Sequence, residues 1–100
     1  MAITIETQDE HEAIIPDERF DFESVGPFRS CYESLTTVKN NTVAVDFRNT
    51  RYIDSSALGM LINAKTYFSD KGIKVKLINA NDQIKKIFSI SRFDKKFEIL

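Results

Sequence analysis

The spacing of apolar residues changes several times along the chain, and each change predicts a new element of secondary structure. Residues 2–7 alternate apolar and polar side chains around Ile3 and Ile5, as in a half-buried strand. The stretch "EAIIPD" predicts a short second strand that Pro16 stops or restricts to a sheet edge. From Ser24 onward, a spacing of three to four residues predicts an amphipathic helix, with Pro27 in its first turn and an inner face of Val25, Phe28, Cys31 or Tyr32, Leu35 and Val38.

The middle of the chain repeats this alternation. "TVAVDF", residues 42–47, is a mostly apolar run that predicts a central strand of the sheet, buried on both faces. A helix is then predicted from about Ser56 to Ser69, and Gly72 suits a left-handed cap after it. The predicted inner face of this helix consists of Leu58, Leu61, Ile62, Phe68 and the aliphatic stem of Lys65.

The last third predicts a strand, a helix and a final strand. In "IKVKLI", residues 73–78, the apolar side chains of Ile73, Val75 and Leu77 share one face and lysines occupy the other. Asn81 or Asp82 can cap the following helix, whose apolar stripe is Ile84, Ile87 and Phe88. A short strand over residues 97–100 completes the order β-β-α-β-α-β-α-β. This order predicts a single α/β domain over residues 1–100, with three or four helices packed on a central, largely parallel sheet of four or five strands.

The composition of the chain argues against several classes of function. With 42% hydrophobic and 29% charged residues, the chain is typical of soluble globular proteins, and no apolar run approaches the ~20 residues of a membrane span. A single cysteine, Cys31, is consistent with a reducing cytoplasm. A net charge of −1 argues against nucleic-acid binding as the main function. No spacing of ligands suggests a metal or another cofactor.

The stretch "DSSALG" lies where a predicted strand leads into a helix, and its two serines suggest a nucleophile. A hydrolase elbow needs glycines two residues before and two after the serine. Ser55 has Ile53 and Ala57 at these positions, and Ser56 has Asp54 and Leu58. The one histidine, His11, is expected on the surface of the acidic N-terminal stretch, so no general base is evident. The glycine-rich spacing of a phosphate-binding loop is also absent. We therefore predict no catalytic residues.

Helix capping explains only part of this cluster. An Asp or Ser before a helix satisfies free backbone amides and contributes about 1 kcal/mol. One cap needs one of the three polar side chains Asp54, Ser55 and Ser56. The extra hydroxyl at an exposed helix N-terminus needs another role, and phosphorylation is one such role, because the helix dipole tolerates an anion there.

Residues 42–99 resemble the STAS domain of bacterial anti-sigma factor antagonists. The family signature is an apolar strand, a connector and Asp-Ser-Ser/Thr-Gly-Leu-Gly, and the corresponding residues run from Asp54 to Gly59 with Ala57 in place of the first glycine. The later stretch "IKVKLINANDQIKKIFSISRF" resembles the next strand, loop and helix of the family. A Gly-x-Leu-Asp segment of the family is matched only by Asp21, with Phe20 in place of leucine.

The resemblance implies a STAS-like fold with a mixed sheet and a protein that acts by binding rather than by catalysis. Ser55 is the implied phosphoacceptor and Ser56 the second candidate. The implied partner is an anti-sigma factor or a serine kinase of that type, and a serine phosphatase is a further implied partner. We expect the protein to be a cytoplasmic monomer. The implied partner-binding residues are Asp21, Asp54, Ser55, Ser56, Ala57, Leu58 and Gly59. STAS domains also serve as small subunits of lipid-transport ABC complexes, which leaves a constitutive docking module as the alternative.

Overall fold

The computed structural model describes residues 3–100, so Ala2, part of the first predicted strand, lies outside the described residues. These residues form a five-stranded sheet, a two-stranded ribbon and three α-helices. The sheet contains β1 (Thr4–Thr7), β2 (Glu12–Ile15), β4 (Thr42–Asp46), β6 (Lys74–Ile78) and β7 (Glu98–Ile99). The ribbon contains β3 (Arg19–Phe20) and β5 (Tyr52–Ile53), and the helices are α1 (Val25–Glu33), α2 (Ser55–Ser69) and α3 (Asp82–Ile90).

The sheet is mixed, with strand order β1-β2-β4-β6-β7. β1 pairs antiparallel with β2, and the other neighbours are parallel. The predicted central position of "TVAVDF" is therefore confirmed, because β4 lies between β2 and β6. The order of elements is the one predicted, apart from the two short ribbon strands and three 3-10 turns.

The hydrophobic core lies between one face of the sheet and the helices. Ile14, Val45 and Leu77 are neighbours in register on adjacent strands, and all three are buried. They belong to one cluster with helix residues such as Phe28, Leu61 and Ile84. On the opposite face, Ala13, Ala44 and Asp46 are also fully buried but lie outside that cluster. Both faces of β4 are thus buried, as predicted, although the helices pack on only one.

The first helix is shorter than predicted. α1 ends at Glu33, so Leu35 and Val38 follow it as irregular chain that still packs partly against the core. Thr36, Thr37 and Val38 are β-branched, and side-chain crowding makes such a run a poor helix former. Pro27 does lie in the first turn of α1.

The structure corrects the prediction for the first strand and decides between the two alternatives for the second. All four residues of β1 are exposed, including Ile5 at 38%. This strand forms the edge of the sheet, so neighbours cover it on one side only. The second strand ends at Ile15, directly before Pro16, but it pairs with strands on both sides. The proline therefore stops β2 without placing it at an edge.

The buried stripe of α2 is rotated from the predicted one. It comprises Ala57, Met60, Leu61, Ala64 and Phe68, whereas Ile62 is 38% exposed and Leu58 is half-buried. The two alanines were not predicted to face the core because large apolar residues suggest burial more strongly than small ones. Leu61 and Phe68 are correctly predicted.

The C-terminal predictions are confirmed. Gly72 has the left-handed φ of 73° expected for its cap. Val75 and Leu77 are buried in β6, and Lys74 is exposed. Asn81 caps α3 by accepting a hydrogen bond from the Ile84 N–H at 2.8 Å. The apolar stripe of α3 and the final strand are also present. No helix within residues 3–100 is long and apolar enough to cross a membrane.

Candidate functional site

A two-stranded ribbon brings two distant parts of the chain together at the N-terminus of α2. Arg19 pairs with Tyr52 and Phe20 with Ile53 in a parallel register. The next residue of each strand is an aspartate, so Asp21 lies beside Asp54. Neither strand was predicted from the sequence, because two residues are too few to show an alternating pattern. Both aspartates were predicted as site residues, and the structure brings them together.

The carboxylate of Asp54 bonds to both halves of the site. Asp54 has an extended backbone and is the N-cap of α2. Its Oδ1 accepts a hydrogen bond from the Ala57 N–H at 3.0 Å, and its Oδ2 accepts one from the Phe22 N–H at 3.2 Å. One side chain therefore caps the helix and also holds the chain segment that follows β3. The sequence left Asp54, Ser55 and Ser56 as alternative caps of this helix, and in the structure Asp54 is the cap.

Asp21 organises that neighbouring segment, a 3-10 turn over Phe22–Ser24. Its Oδ1 accepts from the Glu23 N–H at 3.1 Å, and the Ser24 hydroxyl oxygen accepts from the Asp21 N–H at 3.2 Å. The guanidinium of Arg19 pairs with Asp21 at 3.3 Å and stacks 4.2 Å from the centre of the Tyr52 ring. Asp21 is thus fixed in place next to the N-terminus of α2.

The two serines differ in accessibility. Ser55 is the first residue of α2 and is exposed, whereas Ser56 is half-buried. Because Asp54 supplies the cap, the Ser55 hydroxyl is not needed for it, and this hydroxyl makes no hydrogen bond with another residue of the described part of the chain. The partial positive charge of the helix N-terminus surrounds it. This arrangement leaves the Ser55 hydroxyl exposed and without a capping role.

The remaining predicted contact residues divide into surface and core. Gly59 is exposed, and an added Cβ there would meet nothing within 4 Å. Leu58 is half-buried against the core. Ala57 is 0% exposed, and its place among the partner-binding residues stays a prediction. Its side chain packs inside, and only its N–H takes part in the site.

His11 is buried, which corrects the expectation of a surface residue. Its side chain and backbone together are 8% exposed, and neither ring nitrogen has a hydrogen-bond partner among residues 3–100. Burial lowers its pKa below the usual 6.5, and the nearby Lys76 lowers it further. His11 precedes β2 at the amino edge of the parallel strands, whereas Ser55 lies at the carboxyl edge. It cannot serve as a base for Ser55.

A buried carboxylate stabilises the loop next to this site. Asp46 ends β4 with 0% exposure and accepts hydrogen bonds from the guanidinium of Arg48, the shortest at 2.6 Å, and from the Asn79 amide at 3.1 Å. Burial opposes ionisation of Asp46, but these hydrogen bonds outweigh it and hold its pKa below the usual value. Arg48 and Asn79 also line a polar depression of about 440 Å³. The sequence pattern gave no sign of this network, because Asn79 lies 33 residues from Asp46 in the chain.

The described residues contain no group of three or more His, Cys, Asp or Glu side chains that could hold a metal ion. The chemistry of the site is therefore that of an exposed hydroxyl, two hydrogen-bonded carboxylates and a helix N-terminus.

Comparisons with known proteins identify the family to which this chain belongs. A chain of similar length, a STAS-domain containing protein from Pseudomonas aeruginosa (strain UCBPP-PA14), is 38% identical over 101 residues, covering 99% of each chain. A candidate anti-sigma factor antagonist from Thermotoga maritima shares the fold with a TM-score of 0.81 at 18% identity, covering 97% of this chain and 84% of that one.

The Bacillus cell fate determinant SpoIIAA in its phosphorylated form has a TM-score of 0.72 at 17% identity, covering 99% of this chain and 91% of SpoIIAA. The anti-sigma factor antagonist SpoIIAA in its unphosphorylated form also gives 0.72, at 15% identity, covering 99% and 87%. These structural matches show a shared fold. The family model of the STAS domain matches residues 2–100. The chain therefore belongs to the STAS domain family.

Proposed function

We propose that this protein is a phosphorylation-controlled anti-sigma factor antagonist whose switch is the Ser55 hydroxyl. One observation carries the proposal: Asp54 caps α2, which leaves an exposed serine at the first position of the helix without a structural duty. Membership of the STAS domain family supports it. SpoIIAA, which shares the fold, is an anti-sigma factor antagonist with structures in unphosphorylated and phosphorylated forms.

In this proposal the unphosphorylated protein binds an anti-sigma factor that is also a serine kinase. The kinase transfers the γ-phosphoryl group of ATP to Ser55 Oγ: the new P–O bond forms, the bond to ADP breaks, and a base of the kinase takes the hydroxyl proton. The phosphate adds a charge of about −1.5 to −2 directly beside Asp54. A partner surface shaped for a neutral hydroxyl then meets repulsion and the cost of desolvating the phosphate, so the complex dissociates.

The protein itself acts by binding, as a cytoplasmic component without a cofactor, and a serine phosphatase restores the unphosphorylated form. The fold does not have to change for this switch to operate. Ser55 is exposed, and the positive end of the α2 dipole partly compensates a phosphate there.

The experiment uses immobilised Ser55→Ala protein to retain the kinase from the native cell. The kinase is then purified and incubated with ATP and the wild-type protein, and mass spectrometry locates the phosphate. We expect phosphate on Ser55, a wild-type complex that dissociates on phosphorylation, and a Ser55→Ala complex that persists. Because Asp54 remains as the cap, Ser55→Ala should retain the thermal midpoint of the wild type.

Ser56→Ala is the matched control, since it removes the neighbouring, half-buried hydroxyl. Phosphate on Ser56 alone would move the switch by one residue. If the phosphorylated protein binds as tightly as Ser55→Ala, the switch is wrong, and the protein is a constitutive docking module such as the STAS subunit of a lipid-transport ABC complex.

A further inference from the structure

We propose that Asp54 is a positioning residue that fixes the exposed Phe22 next to Ser55, so that the partner recognises a surface made of two chain segments. This inference rests on the proposed function and deepens it, because it adds a recognition element to the switch. The two segments are the 3-10 turn Phe22–Ser24 and the first turn of α2.

The position of Phe22 is unlike that of every other phenylalanine. The chain has eight, all within residues 3–100, and seven are buried, none with more than 6% exposure. Phe22 is 74% exposed. A large exposed ring contributes nothing to the core, whereas aromatic rings dominate the energetics of protein interfaces. The ring is therefore available for a partner.

The backbone below this ring is fixed. The Phe22 N–H donates to Asp54 Oδ2, and a reciprocal capping box between Asp21 and Ser24 closes the N-terminus of the 3-10 turn. A ring on a fixed backbone loses less conformational freedom on binding than one on a mobile loop. Asp54 precedes Ser55 directly, so the same carboxylate sets the positions of the ring's backbone and of the hydroxyl.

The partner that binds this two-segment surface is the kinase that phosphorylates Ser55. A stable interface buries about 800 Å² on each partner, a patch of roughly 30 Å across. The whole molecule measures 31 × 29 × 23 Å. A kinase bound over Ser55 with such an interface also covers Phe22, whose backbone is hydrogen-bonded to the residue before Ser55. Its surface needs an apolar pocket for the ring beside the site that receives the hydroxyl.

The substitution Asp54→Asn separates the two duties of the carboxylate. An asparagine oxygen can still cap α2, as the Asn81 oxygen caps α3 in this protein. The side-chain NH₂ group that replaces the second oxygen cannot accept from the Phe22 N–H. In the free Asp54→Asn protein we expect the Ala57 amide to keep its hydrogen-exchange protection and the Phe22 amide to exchange at least tenfold faster, as measured by NMR.

A second measurement tests the ring itself. The probe is the purified kinase that phosphorylates Ser55, titrated by calorimetry. We expect Phe22→Ala to weaken binding at least tenfold and Asp54→Asn to weaken it to a smaller extent. Ile90→Ala is the matched control, because Ile90 has the same exposure of 74% but lies at the far end of α3, at the opposite edge of the sheet. It should bind like the wild type.

The outcomes separate this inference from the proposed function. If Ser55→Asp loses binding while Phe22→Ala binds like Ile90→Ala, the switch stands and the two-segment surface is wrong. If the Phe22 amide stays equally protected in Asp54→Asn, Asp54 is not its positioning residue. If Ser55→Asp binds like the wild type but Phe22→Ala does not, the two-segment surface stands and the phosphorylation switch is wrong.

Discussion

At the scale of single residues, two aspartates show how hydrogen bonding decides what a carboxylate does. Asp46 is fully buried and stabilised by Arg48 and Asn79, so it holds loops together. Asp54 is half-buried and uses its two oxygens for two separate backbone amides. Because Asp54 caps α2, the neighbouring Ser55 hydroxyl has no capping role. In the proposed function, the switch depends on these separate roles of Asp54 and Ser55.

His11 is the residue whose surroundings predict a pH dependence of stability. Burial and then Lys76 lower its pKa below 6.5, while Glu10, Asp46 and Glu12 act in the opposite direction without reversing the shift. The unfolded chain therefore takes up the proton first as pH falls. The stabilising effect of a neutral His11 is fully present above about pH 6.5 and is lost progressively below it.

We expect the urea midpoint of the wild type to decrease when the pH is lowered from 7.5 to 5.0, and the urea midpoint of His11→Leu to decrease less. Unfolding followed by circular dichroism at several pH values measures both. Leucine is the informative replacement because neither imidazole nitrogen has a partner to lose within residues 3–100. An equal fall in the two proteins would show that His11 does not titrate differently on folding.

At the scale of elements, the strength of the local pattern decides what could be predicted from the sequence. The strand β4 and the helix α3 have long, regular patterns with a strong cap or apolar run, and both lie where expected. The ribbon of β3 and β5 has no detectable pattern, and it exists because residues far apart in the chain pair. The burial of His11 and the site around Phe22 likewise depend on tertiary contacts, so composition and spacing could not reveal them.

The start of α2 was predictable to within one residue, since helix caps have a chemical signature. The N-terminus of this helix was also predicted from the sequence as the candidate site. The direction of its inner face was less predictable. Small residues such as Ala57 and Ala64 are buried where the helix approaches the sheet closely, and Ile62 turns outward.

Two neighbouring residues of α2 test this assignment of the inner face. Leu61 is 0% exposed and Ile62 is 38% exposed. Leu61→Ala should reduce the free energy of unfolding by about 2–5 kcal/mol, because it leaves a cavity in the core. Ile62→Ala should cost about 1 kcal/mol or less, in line with surface substitutions. Denaturant unfolding at pH 7 measures both. Equal losses would mean that α2 is rotated from the orientation described here.

At the scale of the whole molecule, the fold confines the candidate site to one edge. The radius of gyration is 12.2 Å, and the parallel strands all direct their carboxyl ends toward the N-termini of α2 and α3. The net charge of the unmodified chain is only −1, so one phosphate changes it by a large fraction. In the proposed switch, phosphorylation can therefore weaken binding through local repulsion at Ser55 or through the altered charge of the entire protein.

Charge substitutions at the two ends of α2 distinguish these causes. Ser55 and Ser69 are both exposed and mark the first and last residues of the helix. They are separated by roughly 20 Å at 1.5 Å per residue. Ser55→Asp and Ser69→Asp alter the net charge equally, but only the first adds it within the proposed interface. We expect Ser55→Asp to weaken binding of the purified kinase and Ser69→Asp to leave it nearly unchanged, because screening at 0.15 M salt acts over about 8 Å.

The salt dependence of binding then shows whether electrostatic repulsion causes the local loss of affinity. If repulsion dominates, raising salt from 0.05 M to 0.5 M in the calorimeter should restore part of the affinity lost by Ser55→Asp and by the phosphorylated protein. The phosphorylated protein should gain more than Ser55→Asp, since its charge is larger. An affinity that does not respond to salt would mean that desolvation or steric exclusion of the phosphate breaks the complex. Equal weakening by Ser55→Asp and Ser69→Asp would contradict a local switch at the N-terminus of α2.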